Sequence, residues 1–159
     1  MSLVYYPADC LLKPCEPVKL CDQSVVDIVQ KMVGVLEDKN GLGLSANQIG
    51  HNIQCMIVKD NKGVIHEMIN PKLIESSEPV LMQEGCLSAP DIFLDIVRDN
   101  VVIVEYNNKN GDLLKMLAEG LEARIILHEM EHLSGIFFFS KVNRKLRKRA
   151  EAILRKSIG

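Results

Sequence analysis

No stretch of this sequence reaches the roughly 20 consecutive apolar residues that a membrane span requires. Its first residues, MSLVYYPADCLLKPCEPVKL, contain no basic segment followed by an apolar run of signal-peptide length. Neither membrane insertion nor secretion is suggested, and a cytoplasmic location without membrane partners is the expectation. Internal repeats and low-complexity linkers are missing as well. For 159 residues that points to one domain, 1–159, and a chain of this size buries about 68–70% of the surface its unfolded form exposes. Apolar residues make up 47% and charged residues 25%, near the globular average, so disorder is not suggested either.

Disulfides are not expected. The five cysteines (Cys10, Cys15, Cys21, Cys55 and Cys86) cannot all pair within the chain, and no secretory context favours oxidation. Cys10, Cys15 and Cys21 have no histidine nearby in sequence, so they read as packing thiols and not as a second metal site. The net charge of -2 averages over an uneven distribution. Six of the nine residues from Lys141 to Arg149 are basic, and an anionic partner would meet the chain at that end.

The segment Ser24 to Lys39 places Val25, Ile28, Val29, Met32, Val33 and Leu36 at helical spacing. Ser24 is a plausible N-cap and Asn40-Gly41 a stop. A glycine-rich turn, GLGLSANQIG, follows. Extended runs are predicted over Ile53 to Lys59, Val64 to Asn70, Leu73 to Ser76 and Val101 to Tyr106, punctuated by turn-forming Asn pairs. Ala118 to Leu133 is apolar at helical spacing, although Gly120 obscures where the helix begins. Asn143 to Ser157 sets Leu146, Ala150, Ile153 and Leu154 on one side and basic residues on the other. Helices at both ends around a β middle imply an α+β fold, not an alternating parallel one.

Within the second of these helices, His128-Glu129-Met130-Glu131-His132 reads H-E-x-x-H. Residues four apart stack on one helix face, so both imidazoles can reach a single ion. Glu129 lies about 100° around the helix from His128, placed to handle the proton of a water and not to share the coordination direction. Leu121 and Ile125 fall on the histidine face, where an apolar substrate side chain could rest. Arg124 lies near it too, which suits the mouth of an open cleft better than a sealed core. The plainer alternative is an amphipathic helix carrying two unrelated histidines.

A catalytic site of this kind needs a third protein ligand and an open position. After His132 there is no histidine and only Glu151, which lies in the basic helix. Upstream, Cys86 in Glu84-Gly85-Cys86-Leu87-Ser88 could serve as a thiolate ligand where glycine lets the backbone turn. Three separated blocks, Gly41 to Gln48, Glu84 to Ser88 and His128 to His132, together resemble in order and spacing the three signature motifs of the peptide deformylase family. Taken singly, the glycines could mark an ordinary turn, Gln48 an ordinary polar residue and Cys86 a buried thiol.

The resemblance covers nearly the whole chain. It implies an α+β fold with the third block on a central helix packed against antiparallel strands. It further implies one divalent ion held by Cys86, His128 and His132, with Fe(II) first and Zn(II) or Ni(II) as other candidates. Glu129 would be the general acid/base, and Gln48 with the backbone N–H of Leu87 would stabilise the carbonyl. Leu42, Gly43, Leu121 and Ile125 would bind the methionine side chain, and Glu84 and Arg98 would form a supporting ion pair, unless they are unconnected surface charges. Two positions depart from the family pattern: Ser45, where alanine is usual, and Glu131, where aspartate is usual. Neither is a ligand position.

The implied reaction is hydrolysis of the N-formyl group of formyl-Met polypeptides as they are made. The basic C-terminal helix could dock on the ribosome, or it could be a solvated face. Two rival functions are an H-E-x-x-H metallopeptidase, against which the missing downstream ligand speaks, and a non-catalytic ribosome-binding module of the same fold.

Overall fold

The computed structural model describes residues 2–158. The first helix, α1, runs Gln23–Asp38. It starts one residue before the predicted segment because Asp22, not Ser24, is the N-cap, its side chain accepting from the Ser24 N–H at 2.9 Å. A helix N-terminus leaves orphan donors, and the aspartate reaches one of them. The apolar spacing has the expected effect: Val25, Val29, Met32 and Leu36 are buried.

The glycine-rich block is more ordered than a turn. Gly43–Ser45 is a short strand, β1, and Ala46–Ile49 forms a 3-10 turn. Then come β2 (Cys55–Lys59), β3 (Ile65–Cys86), β4 (Ala89–Asn107) and β5 (Leu113–Glu119). All pair antiparallel in the order β1-β2-β3-β4-β5. The predicted run Ile53 to Lys59 is β2, and the other three are fragments of the two long strands β3 and β4. Between Glu75 and Gln83 every residue of β3 is exposed, so no apolar alternation marks that stretch, and only its pairing with Asp95 to Ile103 holds it extended. The strand β5 was not expected at all: Leu-Leu-Lys-Met-Leu-Ala-Glu is a run of helix formers that the neighbouring strand overrides.

The helix carrying H-E-x-x-H, α2, spans Leu121–Leu133. Ala118 and Glu119, predicted as its first turn, belong to β5. Gly120, at φ 65° and ψ −130°, makes the sharp change of direction in a conformation open essentially to glycine alone. The C-terminal helix, α3, spans Arg144–Ile158, with Ala150 and Leu154 buried. Ile153, expected on the same side, is 46% exposed. The architecture is α+β.

Three apolar clusters hold these elements together. Ala123, Ile126 and Leu133 of α2 pack on Met56, Val58, Met68, Val102 and Val104 of the sheet. Helix α1 covers Leu44, Cys55 and Ile57. Phe137, Phe138 and Phe139 join α3 to Ile92, Leu94 and Ile96. Helix α2 is therefore central, with the sheet on one side and the phenylalanine cluster close to its two histidines: the Phe138 ring centroid lies 5.4 Å from His128 and that of Phe137 lies 5.6 Å from His132.

Candidate active site

Two elements deliver the ligand-type side chains to one point. His128 and His132 project from the same face of α2, their Nε2 atoms 3.1 Å apart. Cys86 is the last residue of β3, where Leu87 and Ser88 form the tight turn into β4 and Cys86 pairs with Ala89. A register shift between Gly85 and Cys86 breaks the regular pairing there. The Cys86 Sγ lies 3.4 Å from the His132 Nε2, and the three donor atoms all lie within 4.8 Å of one another. A tetrahedral ion with bonds of about 2.0–2.1 Å to nitrogen and about 2.3 Å to sulfur needs donor separations of about 3.3–3.6 Å. One thiol and two imidazoles at this spacing fit such an ion, and no other group of this kind occurs among the described residues.

Burial alone would drive the Glu84 carboxyl up, but bonds and charge from His128 and Arg98 bring it far below the ordinary carboxylate range. Its Oε1 lies 2.7 Å from the His128 Nδ1. An ionised carboxylate only accepts, so the imidazole proton sits on Nδ1 and the Nε2 lone pair is left for an ion. Arg98 donates from Nε and Nη2 to Glu84 at 2.7–3.2 Å, and its Nη1 donates to Glu131 at 2.6 Å. Glu131 in turn meets Lys141 Nζ at 2.5 Å. Glu131 is therefore one link in a line of alternating charge that ends on His128.

Arg124 corrects the sequence reading. It lines the cleft as expected but is only 4% exposed, because its Nη1 donates to Glu84 Oε2 at 2.8 Å and to the Ile96 carbonyl at 2.9 Å. A third bond runs from its Nη2 to the Val80 carbonyl at 2.8 Å. A buried guanidinium is tolerated when its charge is paired and its donors are used.

Glu129 is buried, with Oε1 lacking any hydrogen-bond partner among the described residues. Burial, reinforced by the charge of Glu84, raises its carboxyl to about 7 against the opposing pull of His128 and Arg98. A carboxyl poised near neutrality with a free oxygen suits proton transfer. Gln48 is also fixed. Its Oε1 accepts from the Ser45 N–H at 3.0 Å, and its Nε2 donates to Ser88 Oγ at 3.0 Å and faces the Cys86 Sγ at 3.6 Å.

A cleft of about 660 Å³ opens over Cys86, His128 and Glu129. All four residues expected to meet the substrate, Leu42, Gly43, Leu121 and Ile125, line it, as does Leu87. Glycine is required at 43 by close approach, since a Cβ there would stand 2.7 Å from Ile125 Cγ2 and 2.9 Å from Glu129 Oε2. Sequence reasoning did not find Ile92 and Phe93 in the opposite wall, because they lie on a part of β4 that was not recognised as a strand. Nor did it find Ser88 and Asn47, whose letters stand inside the quoted blocks but whose partners are distant in sequence.

Comparison with known proteins decides the family. The family model described as polypeptide deformylase matches residues 1–148. The chain belongs to the peptide deformylase family. Its relatives include the peptide deformylase of Borreliella burgdorferi, 34% identical over 149 residues that make up 92% of this chain and 90% of that protein. Peptide deformylase 1 of Bacillus anthracis is 36% identical over 146 residues, 91% of this chain and 93% of its own. The crystal structure of the Ehrlichia chaffeensis peptide deformylase in complex with actinonin superposes with a TM-score of 0.94 at 32% identity, covering 100% of this chain and 98% of that one. Membership makes this chain a metal-dependent hydrolase that removes the N-formyl group from nascent peptides. No helix among the described residues is long and apolar enough to cross a membrane.

Proposed function

We propose that the deformylation site consists of Cys86, His128 and His132 as ligands of one divalent ion, Glu129 as general acid/base, and Gln48 with the Leu87 N–H as carbonyl-stabilising donors. The ion, when bound, supplies an electrophile that polarises the formyl carbonyl and lowers the pKa of a water from 15.7 toward about 7. The free oxygen of Glu129 takes up the water's proton and returns it to the departing amine. The amide of Gln48 is held by the Ser45 N–H and by Ser88 Oγ, and the N–H that faces the Cys86 Sγ at 3.6 Å is the one that would turn to the developing oxyanion. Donors of this kind are each worth about 2.7–4 kcal/mol. Glu84 keeps the proton of His128 on Nδ1, and Arg98 and Arg124 keep Glu84 ionised.

The methionine side chain rests on Leu42, Gly43, Leu121 and Ile125. Leu42 and Leu121 are 46% and 53% exposed, apolar surface that a ligand would cover. A mismatch of one methylene in such a pocket is worth about 1–3 kcal/mol, so preference for methionine is graded. Formyl is the smallest acyl group, so a tight cleft at the ion would exclude acetyl by sterics, and equal turnover of acetyl-Met peptides would contradict this.

Fe(II) is the native ion on this reading. Cysteine with two histidines suits ferrous iron or zinc equally by softness and geometry, and deformylases typically work with iron. Activity lost in air and restored by anaerobic Fe(II) but not Zn(II) supports that assignment; indifference to oxygen counts against it. The chain acts as one catalytic domain on nascent chains in the cytoplasm. The exposed Arg144, Lys145, Lys148 and Arg149 of α3 offer a cationic face to ribosomal RNA. Because Ala150 and Leu154 of that helix are core residues, charge reversal at Lys145, Lys148 and Arg149 tests docking better than truncation, and unchanged ribosome co-sedimentation would dispose of it.

One observation carries the assignment: a thiol and two imidazoles converge beside a buried carboxylate that still has a free oxygen. The experiment is an anaerobic assay of wild type and Glu129→Ala on a formyl-Met peptide. Wild type releases formate and the variant does not. Equal turnover by both would remove Glu129 from the mechanism.

A further inference from the structure

Ser45 ends β1, and its side chain is fully buried. Its hydroxyl lies 2.6 Å from Asn47 Oδ1 and 3.1 Å from Gln48 Oε1. A hydroxyl has one proton to give. Gln48 Oε1 already accepts from the Ser45 backbone N–H at 3.0 Å, so the hydroxyl proton belongs on Asn47 Oδ1, the nearer oxygen. At its other end Asn47 donates from Nδ2 to the backbone carbonyl of His132 at 2.7 Å.

That carbonyl belongs to the last turn of α2, where C=O groups lack partners within the helix; it accepts from the Gly135 N–H at 3.0 Å, and Asn47 supplies its side-chain donor. The Asn47 side chain, from the 3-10 turn after β1, thus caps the helix at the residue whose imidazole faces Cys86. The direction of the amide is also determined. Turning it over would set Oδ1 against the His132 carbonyl, acceptor on acceptor, so the orientation with Nδ2 toward His132 is the one that satisfies both ends.

We propose that Ser45 is a positioning residue for the metal centre: by satisfying the buried carbonyl of Asn47 it holds the Asn47 amide on the C-terminal turn of α2, and so fixes where the His132 imidazole stands relative to Cys86. This rests on Cys86, His128 and His132 being the ion's ligands. An alanine at 45 leaves the Gln48 contact to the Ser45 backbone intact and leaves Asn47 Oδ1 without a donor at a position that is itself fully buried. Asn47 then has reason to rotate or shift, and the end of α2 is released.

The test uses Co(II) as probe on the full chain, reading its dissociation constant by competition and its thiolate charge-transfer and d–d absorption. Wild type, Ser45→Ala, Asn47→Ala and the double variant are compared, with thermal unfolding of each ion-free protein alongside. The expected loss of Co(II) affinity in Ser45→Ala is about tenfold, at the low end of what partners of metal ligands cost, with a shifted d–d band. Because Ser45 acts through Asn47, the double variant binds Co(II) no more weakly than Asn47→Ala alone. Ser45→Ala with wild-type affinity and spectrum overturns the proposal even if its melting temperature falls, since lost stability alone is what a merely structural hydroxyl would show. Additive losses in the double variant overturn it too. A wild-type protein without a thiolate-to-Co(II) band would instead refute the ligand assignment on which the proposal rests.

Discussion

Replacing Glu84 by glutamine removes one charge and almost no volume from a point where three cationic or polarised donors meet. In the native arrangement the carboxylate accepts from His128 Nδ1, from Arg98 and from Arg124. Glutamine offers a single acceptor oxygen, and its NH2 must face a guanidinium. Arg98 and Arg124 are 6% and 4% exposed, so water cannot take over. Breaking a buried pair by removing one partner costs about 3–5 kcal/mol. Arg98 keeps Glu131, which places the expected cost near the lower end, about 3 kcal/mol. For a chain of this length that is a fall of roughly 6–12 °C in melting temperature. Without the carboxylate, the His128 proton is no longer held on Nδ1, and ion affinity falls about 10–100-fold. Urea and thermal unfolding of the ion-free protein read the first effect, and competition with a chelating dye reads the second. A variant within 1 kcal/mol of wild type that binds Zn(II) equally well would show that the carboxylate neither neutralises the arginines nor orients the ligand, and the electrostatic reasoning would fail.

Glu129→Gln should retain the ion while kcat falls about 10²–10⁴-fold. The base must be ionised; burial raises its carboxyl to about 7 in the ion-free protein and a bound cation would draw it lower, so wild-type activity should climb with pH on the acid side of 7, and activity that falls from pH 5 to pH 7 would contradict the role. Gly43→Ala puts a Cβ 2.7 Å from Ile125 Cγ2; displacement of Glu129 should cost about 10²-fold in kcat/KM, and an unaffected enzyme would mean that the cleft yields easily. Acid titration should expose the Glu84 cluster: its folded carboxyl lies below the unfolded value of 4.5, so its stabilisation is complete above that pH and fades as pH drops further. An ion-free protein equally stable at pH 3 and pH 7 would argue against the cluster.

The parts of this site that could be read from sequence are those governed by local periodicity. His128 and His132 face one way because a helix repeats every 3.6 residues, and the same repeat put Leu121 and Ile125 beside them in the cleft. Cys86 could not be tied to them by spacing, because its position depends on a tight turn at the end of two long strands, and the resemblance of three blocks carried it. The strand β3 was read only in pieces because Glu75 to Gln83 is exposed throughout and is held by pairing, which leaves no trace in composition; in β4 the inward alternation of Ile92, Leu94 and Ile96 was present and went unread. Arg124 was misplaced for a related reason. Its helical position is legible, but whether a cation there meets water or a carboxylate depends on Glu84, forty residues earlier. Asn47 shows the same limit, since its partner, the His132 carbonyl, belongs to the end of another element.

X-ray absorption at the metal edge of the anaerobically purified protein tests the central claim most directly. One sulfur near 2.3 Å and two imidazole nitrogens near 2.0–2.1 Å are expected, with the sulfur contribution lost in Cys86→Ala. A first shell of nitrogen and oxygen only, or one unchanged by that substitution, would contradict the convergence of Cys86 with His128 and His132 on a single ion.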